Sequence, residues 1–215
     1  MQSKVILAVT GLLILFPAIC FFLLEFWDMP LGERIWVSLF QAVTPRTAGF
    51  NTVDLASMSE SGQMMIILLM LIGGAPGSTA GGMKVTTLAV LIACAAAVFR
   101  KRDSAQLFGR RIGQNTIATA ATLFLLYIGL SIGGAMVISI AEGLPLMTCL
   151  YETTSALATV GLTLGITPEL SILSRYILIG LMFLGRVGGL TFIYATQSKK
   201  QAQIGKFPQE KITVG

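Results

Sequence analysis

Two short segments have the residue types and spacing that suit cation coordination by backbone oxygens. Each contains a threonine, one intervening residue and a glycine: Thr47-Ala48-Gly49 and Thr159-Val160-Gly161. Glycine permits backbone geometries in which no side chain blocks the carbonyl groups, and rings of carbonyl oxygens can replace the water shell of an ion. One such triplet is a weak signal, but these two lie 112 positions apart after similar apolar runs. We therefore interpret both as ion-coordinating pore loops.

A glycine-rich stretch, Gly73–Gly82, is the second candidate element. It separates the apolar runs Met64–Ile72 and Met83–Phe99 and contains five glycines and one proline. Because glycine and proline disfavour helix, the sequence predicts one membrane helix broken near its middle. We interpret the break as a gate, with a static packing kink as the alternative. The gate residues are Gly73, Gly74, Gly77, Ser78, Thr79, Gly81 and Gly82. Nucleotide binding is excluded, since Met83 stands where a phosphate-binding loop needs lysine.

Three charged residues lie in or beside these apolar segments. Arg186 lies within the apolar run Tyr176–Gln197, where burial of a charge costs at least about 2.5 kcal/mol. It is expected either to donate to carbonyls of the glycine-rich stretch or to limit cation flow by its charge. Lys84 follows that stretch and is expected to face the same cavity. Glu152 is expected to support the second loop by accepting hydrogen bonds, or else only to add acidity to the mouth.

Composition excludes several classes of protein. The chain has 215 residues, 54% hydrophobic and 12% charged, with a mean hydropathy of +0.81, whereas soluble domains carry about 25% charged residues. A water-soluble enzyme domain, a disordered chain and a nucleic-acid binder are therefore excluded. The chain has no histidine, which excludes histidine metal sites and catalytic triads. Its three cysteines show no metal-binding spacing, and no cofactor is expected in this chain.

The predicted fold is an all-α integral membrane protein with two tandem helix–pore-loop–helix repeats, similar to a potassium channel. The second helix of the first repeat is broken by the glycine-rich stretch. Two short helices, Leu31–Val43 and Pro145–Leu157, dip into the membrane before the loops. The spans are Val5–Leu24, the broken helix, Ile112–Ala141 and Tyr176–Gln197. The same offset that relates Gly49 to Gly161 also relates Gly73 to Gly185, which indicates a duplicated unit.

Charge placement predicts the division of the chain and its orientation. Residues 1–99 form the first repeat, 100–111 a basic cytoplasmic loop, 112–198 the second repeat and 199–215 a cytoplasmic tail. Ten of the 15 basic residues fall at the N-terminus, in the loop and in the tail, so both termini are expected to be cytoplasmic. Eight of the 10 acidic residues fall on the other side. An acidic outer mouth of this kind would concentrate cations.

Five motifs together strongly resemble the Trk/Ktr/HKT superfamily of potassium uptake proteins, and the Ktr-type membrane subunit in particular. They are Thr44–Thr52, Gly73–Lys84, Thr159–Pro168, Gly185–Gly188 and Phe207–Ile212. The resemblance implies four repeats around one cation pathway, with one filter glycine in each. It implies that Gly49 and Gly161 are the third and fourth filter glycines. It also implies that Gly73–Gly82 is the intramembrane gate and Arg186 the pathway arginine.

The resemblance further implies the substrate and the partners. Potassium would be the transported ion, bound only at the filter, and the chain would not be an enzyme. The subunit would lie in the plasma (inner) membrane as a multi-pass homodimer docked on a cytoplasmic nucleotide-binding ring, with no nucleic acid partner. Only two of the four repeats are present, so the chain is expected to be the C-terminal half, either as a fragment or completed by a second copy. The alternatives are an alternating-access carrier, mixed potassium and sodium uptake, and a non-conducting assembly protein.

Overall fold

The structure is a computed structural model that describes residues 1–189 and Thr191. Its described part is mostly helical. The helices are α1 (Gln2–Cys20), α2 (Leu31–Val43), α3 (Glu60–Leu71), α4 (Val85–Phe99), α5 (Gln114–Glu142), α6 (Leu146–Leu157) and α7 (Ile172–Val187). A π-helical turn, Phe21–Glu25, continues α1, and a short 3-10 turn, Thr167–Glu169, precedes α7.

Two of these helices are long and apolar enough to cross a membrane. They are α1 with its π-helical continuation, Gln2–Glu25, and α5. The shorter helices α3 and α4 are apolar and follow one another across the glycine-rich stretch. Large apolar side chains cover the surface: Phe99 is 88% exposed, Ile140 82% and Leu24 78%. Such a surface is unfavourable in water and is the expected one where lipid is the solvent.

Helix α6 is the most enclosed element and connects the two predicted repeats. It packs against α3, α5 and α7, while α4 packs against α5 and α1. Its residue Tyr151 belongs to an apolar cluster with Phe21 and Ile66, and Leu157 belongs to a second cluster with Ile138. The loop that follows α6 therefore starts from a helix fixed on several sides.

Two helices begin earlier than the apolar pattern predicts, because a serine caps each one. Helix α3 begins at Glu60, where the Ser59 hydroxyl accepts a hydrogen bond from the Gly62 N–H at 3.1 Å. Helix α7 begins at Ile172 instead of Tyr176, with Ser171 as its cap. A capping serine satisfies N–H groups that the first turn leaves unpaired, so polar residues extend these helices beyond their apolar cores.

The predicted last span, Tyr176–Gln197, contains a break in its helix within the described residues. Helix α7 ends at Val187, and Gly188 has φ +87°. Glycine takes this positive φ without a steric penalty, and helical structure is present again at Gly189 and Thr191. The rest of the predicted span, apart from Thr191, and the tail 199–215 lie outside the described residues.

The basic loop 100–111 differs from the expected irregular connection. It contains a hairpin in which β1 (Gln106–Leu107) pairs antiparallel with β2 (Arg110–Arg111). The two turn residues, Phe108 and Gly109, have φ +47° and +76°, the left-handed geometry that matches the twist of a tight hairpin. Among the described residues, this hairpin is a small departure from the all-α prediction. The sequence did not indicate it, because phenylalanine is not a typical residue for a left-handed turn position.

Candidate ion pathway

The two Thr-x-Gly triplets have the same backbone pattern. Thr47 and Gly49 have φ +75° and +74°, and Thr159 and Gly161 have φ +54° and +92°, whereas the middle residues do not have positive φ. A threonine in the left-handed region costs about 1–3 kcal/mol and persists only where its surroundings enforce it. The offset of 112 residues therefore relates two loops with the same unusual geometry.

Thr44 closes the first loop. Its hydroxyl donates to the Phe50 carbonyl at 2.7 Å and accepts from the Phe50 N–H at 3.0 Å. Its carbonyl accepts from the N–H groups of Ala48 and Gly49 at 3.0 and 3.1 Å. Sequence reasoning did not select Thr44, although a Thr-Pro pair at a helix end was a usable signal. The loop is thus tied at both ends to one buried threonine.

Glu152 holds the segment that follows the second loop. It is 4% exposed, and its Oε1 accepts from the Thr163 hydroxyl at 2.6 Å and from the Leu164 N–H at 2.9 Å. Its Oε2 accepts from the Thr167 hydroxyl at 2.8 Å. Three hydrogen bonds to one buried carboxylate fix this segment from behind. The arrangement agrees with the expectation that Glu152 accepts hydrogen bonds, and its role in ion transport stays a prediction.

The two loops approach each other closely at Gly49. A Cβ atom on this residue would overlap the carbonyl oxygen of Val160. The corresponding position on Gly161 has no atom within 4 Å among the described residues. Only glycine permits the first loop to lie this close to the second.

The glycine-rich stretch forms a loop with a closed neck. The Gly73 N–H donates to the Met83 carbonyl at 2.8 Å, and the Met83 N–H donates to the Leu71 carbonyl at 2.8 Å. A Cβ on Gly73 would overlap the carbonyl of Gly81. Within the loop, Gly77 and Gly82 have φ +88° and +69°. Residues 74–82 therefore form a loop held at its base by backbone hydrogen bonds, which we call the gate loop.

Side chains hold the tip of the gate loop from several directions. Arg186 Nη1 donates to the Thr79 carbonyl at 2.8 Å, and Lys84 Nζ donates to the Ala80 carbonyl at 2.6 Å and the Ser78 carbonyl at 3.3 Å. Ser78 Oγ donates to the Ala75 carbonyl at 2.7 Å. A cavity of about 330 Å³ lies beside the loop and is lined in part by Lys84 and Arg186. Both cations predicted near the loop thus contact its carbonyl oxygens.

Sequence reasoning missed two further arginines that make tertiary contacts, of which Arg46 lies in the first loop. Arg46 precedes Thr47, and its Nη2 donates to the Gly73 carbonyl at 3.4 Å. Arg34 is 5% exposed, and its guanidinium lies 4.1 Å from the ring centre of Phe22 and 4.6 Å from that of Trp27. The Arg34 Nε also donates to the Phe22 carbonyl at 2.6 Å. This carbonyl belongs to the π-helical turn Phe21–Glu25, which no sequence pattern predicted.

Two of the acidic residues predicted for an outer mouth serve as helix caps. Glu25 accepts from the N–H and the hydroxyl of Ser59, both at 2.6 Å. Glu142 accepts from the N–H of Ser171 at 3.0 Å and from the hydroxyl of Ser174. Each carboxylate ends the first span of a predicted repeat and binds the serine that caps a later helix, α3 or α7. Their role is therefore at least partly to join helices.

Comparison with known proteins gives consistent matches. The family TrkH, described as cation transport protein, matches residues 2–205. The potassium/sodium uptake protein NtpJ of Enterococcus hirae is 38% identical over 100% of this chain and 50% of its own length. The Ktr system potassium uptake protein B of Bacillus subtilis is 35% identical over 100% of this chain and 49% of its own. The chain thus spans about half the length of these curated relatives.

A solved structure has the same fold. The potassium transporter TrkH from Vibrio parahaemolyticus superposes with a TM-score of 0.72 at 22% identity, covering 91% of this chain and 44% of its own. At this identity the likeness concerns the fold alone. The relatives share more than 30% identity over nearly the whole chain, and the family match covers residues 2–205. The chain belongs to the TrkH family of cation transport proteins.

Proposed function

We propose that this chain forms half of a membrane pore for potassium uptake. The observation that carries the proposal is the pair of Thr-x-Gly loops, which share left-handed backbone at both the threonine and the glycine and approach each other at Gly49 and Val160. Irregular backbone at membrane depth is tolerated only where it is buried in protein or lines water. The names of the relatives, potassium and potassium/sodium uptake proteins, support the same substrate class.

In this proposal the chain consists of two helix–pore-loop–helix repeats, residues 1–99 and 112–198, joined by the basic segment 100–111. The short helices α2 and α6 end at Val43 and Leu157, directly before the two loops. A helix C-terminus carries a partial negative charge, which favours a cation at that point. Two further repeats complete the pore, which agrees with the twofold greater length of the relatives.

The ion loses water to backbone oxygens of the two loops. The proposed ligands come from Thr47, Ala48 and Gly49 in the first loop and from Thr159, Val160 and Gly161 in the second. Carbonyl oxygens compensate for the lost hydration of the ion without forming or breaking a covalent bond. The family is one of transporters, and the process needs no cofactor from this chain.

The gate loop controls passage below the filter. Arg186 and Lys84 donate to three of its carbonyl oxygens, which supports a role in keeping the loop in the pathway. Release of these contacts would open the path, because the loop tip would no longer be held by Lys84 of the first repeat and Arg186 of the second. The neck at Gly73 and Met83 is closed by two backbone hydrogen bonds, so we expect the tip to move and the neck to stay.

The chain is a membrane protein, and we propose that it lies in the plasma membrane with the basic segment on the cytoplasmic side. Arg110 and Arg111 in β2 are exposed, which supports contact with water and partners there. The proposed assembly is a homodimer of the complete subunit on a cytoplasmic ring that binds nucleotide. The basis of this assembly is an analogy: the names of the Ktr relatives describe them as proteins of a potassium uptake system.

Expression in a bacterial strain that lacks potassium uptake tests the proposal. The chain is fused behind the two additional repeats of a longer relative, and growth is followed at low potassium. The proposal predicts growth with the wild-type fusion and none when Gly49 is replaced by aspartate. Equal growth of both fusions, or no growth of a wild-type fusion that reaches the membrane, would contradict it.

A further inference from the structure

The two filter threonines differ in their hydrogen bonding. Thr159 Oγ1 accepts a hydrogen bond from the Gly81 N–H of the gate loop at 3.1 Å. Thr47, which stands 112 positions earlier with the same left-handed backbone, has a buried hydroxyl without a partner among the described residues. The duplicated loops are therefore alike in backbone and unlike in this one contact.

The gate loop is fitted closely against the second pore loop at this point. A Cβ atom on Gly81 would overlap both Thr159 Oγ1 and the Ala158 carbonyl oxygen. On the other side, a Cβ on Gly185 of α7 would lie 3.3 Å from the Thr159 methyl carbon. The Thr159 side chain is thus held between the gate loop and α7, with its hydroxyl directed at the loop.

We propose that the docked gate loop and the permeating cation compete for the Thr159 hydroxyl oxygen. This inference rests on the proposed function. When the loop is docked, the Thr159 hydroxyl oxygen accepts the Gly81 N–H, so a cation that approaches this oxygen meets the partial positive charge of that N–H and only one remaining lone pair. A dehydrated cation at the inner end of the filter requires oxygen ligands. The Thr159 hydroxyl oxygen would be one of them, and it is the oxygen to which the gate loop is hydrogen-bonded.

The competition links the gate to the filter in both directions. If loop docking weakens cation binding at Thr159, cation binding must weaken loop docking by the same factor. Potassium in the filter would then favour release of the loop. The Thr47 hydroxyl does not take part in this linkage, because it makes no hydrogen bond to the gate loop or to any other described residue.

Cysteine accessibility tests the coupling without using transport as the readout. Cys20, Cys94 and Cys149 are replaced by alanine, and Ala80, a half-buried residue of the gate loop, is replaced by cysteine in the complete pore. The rate of modification by a water-soluble thiol reagent is measured in potassium and in N-methylglucamine. We expect potassium to raise the rate about fivefold, the change expected when one ordinary hydrogen bond is lost.

Paired threonine variants decide the result. Thr159→Val should remove the potassium dependence and leave the rate high, whereas Thr159→Ser keeps the hydroxyl and should keep the dependence. Gly81→Ala should also give a high rate independent of potassium, because the loop cannot dock. Retention of the dependence in Thr159→Val, or its loss in Thr159→Ser, would overturn the inference. Potassium flux through the wild-type pore, measured separately, tests the proposed function itself.

Discussion

The carbonyl oxygen of Val160 lies where a side chain on residue 49 would begin, so Gly49 and Val160 form a close approach between the two Thr-x-Gly loops. Gly49 also has φ +74°. Two independent requirements, a left-handed backbone and an absent Cβ, therefore fall on one residue. The first loop can lie this close to the second only with glycine at position 49.

Replacing Gly49 by serine should weaken the discrimination of potassium from sodium. The new side chain must displace the second loop, and the left-handed backbone adds about 1–2 kcal/mol of strain. Gly161→Ser is the matched control, since it has similar strain at φ +92° and no described atom within 4 Å of its Cβ position. Ratios of potassium to sodium uptake are measured in the complete pore. A Gly49 variant with unchanged selectivity, or with no greater loss than Gly161→Ser, would count against the account.

Two substitutions of Glu152 distinguish its role as a hydrogen-bond acceptor from its role as a negative charge. Glu152→Ala leaves three half-buried donors without this acceptor, at no more than about 1–3 kcal/mol each, and should abolish uptake and lower thermal stability in detergent. Glu152→Gln keeps an oxygen for Thr163 and Leu164, and the Thr167 hydroxyl can accept from its amide. It should therefore retain most of the uptake. If the glutamine variant fails as completely as the alanine variant, the negative charge is the required property.

The sequence predicted helix bounds accurately where apolar runs determine them. It predicted them poorly where polar side chains determine them through hydrogen bonds. The helix Leu31–Val43 was predicted at its observed bounds, because an apolar run and a following Thr-Pro define both ends. The start of α7 was misplaced because Ser171 extends it, and its end because Gly188 leaves the helix. The contacts of Arg34 and Arg46 depend on tertiary neighbours, which spacing along the chain does not reveal.

Substitution of Arg186 has a specific predicted effect on flux. Arg186→Gln should raise the resting potassium flux by roughly tenfold or more, since a hydrogen bond to a charged group contributes about 1.5–3 kcal/mol. Arg175→Gln is the control on the same helix, because Arg175 donates to the Leu170 and Pro168 carbonyls away from the gate loop. Flux is measured with a potassium indicator in liposomes. Equal flux from the two variants would show that Arg186 does not keep the gate loop closed.

The capping carboxylates should act on stability more than on ion affinity. Glu25→Ala removes two hydrogen bonds at Ser59 and should cost about 1 kcal/mol, seen as earlier thermal unfolding by tryptophan fluorescence. Asp28→Ala removes a nearby charge without a cap and is expected to leave unfolding unchanged. Potassium affinity should respond equally little in both variants. A large loss of affinity with normal unfolding in Glu25→Ala would favour the acidic-mouth function instead.

The central claim is that the two Thr-x-Gly loops conduct potassium. The most direct measurement is the uptake of potassium and of sodium into liposomes that contain the complete pore, with Gly49→Ser and wild type at matched protein content. The account predicts uptake by the wild type that favours potassium and a clear loss of this preference in the variant. Uptake with the same preference in both proteins, or no uptake by the wild type, would contradict it.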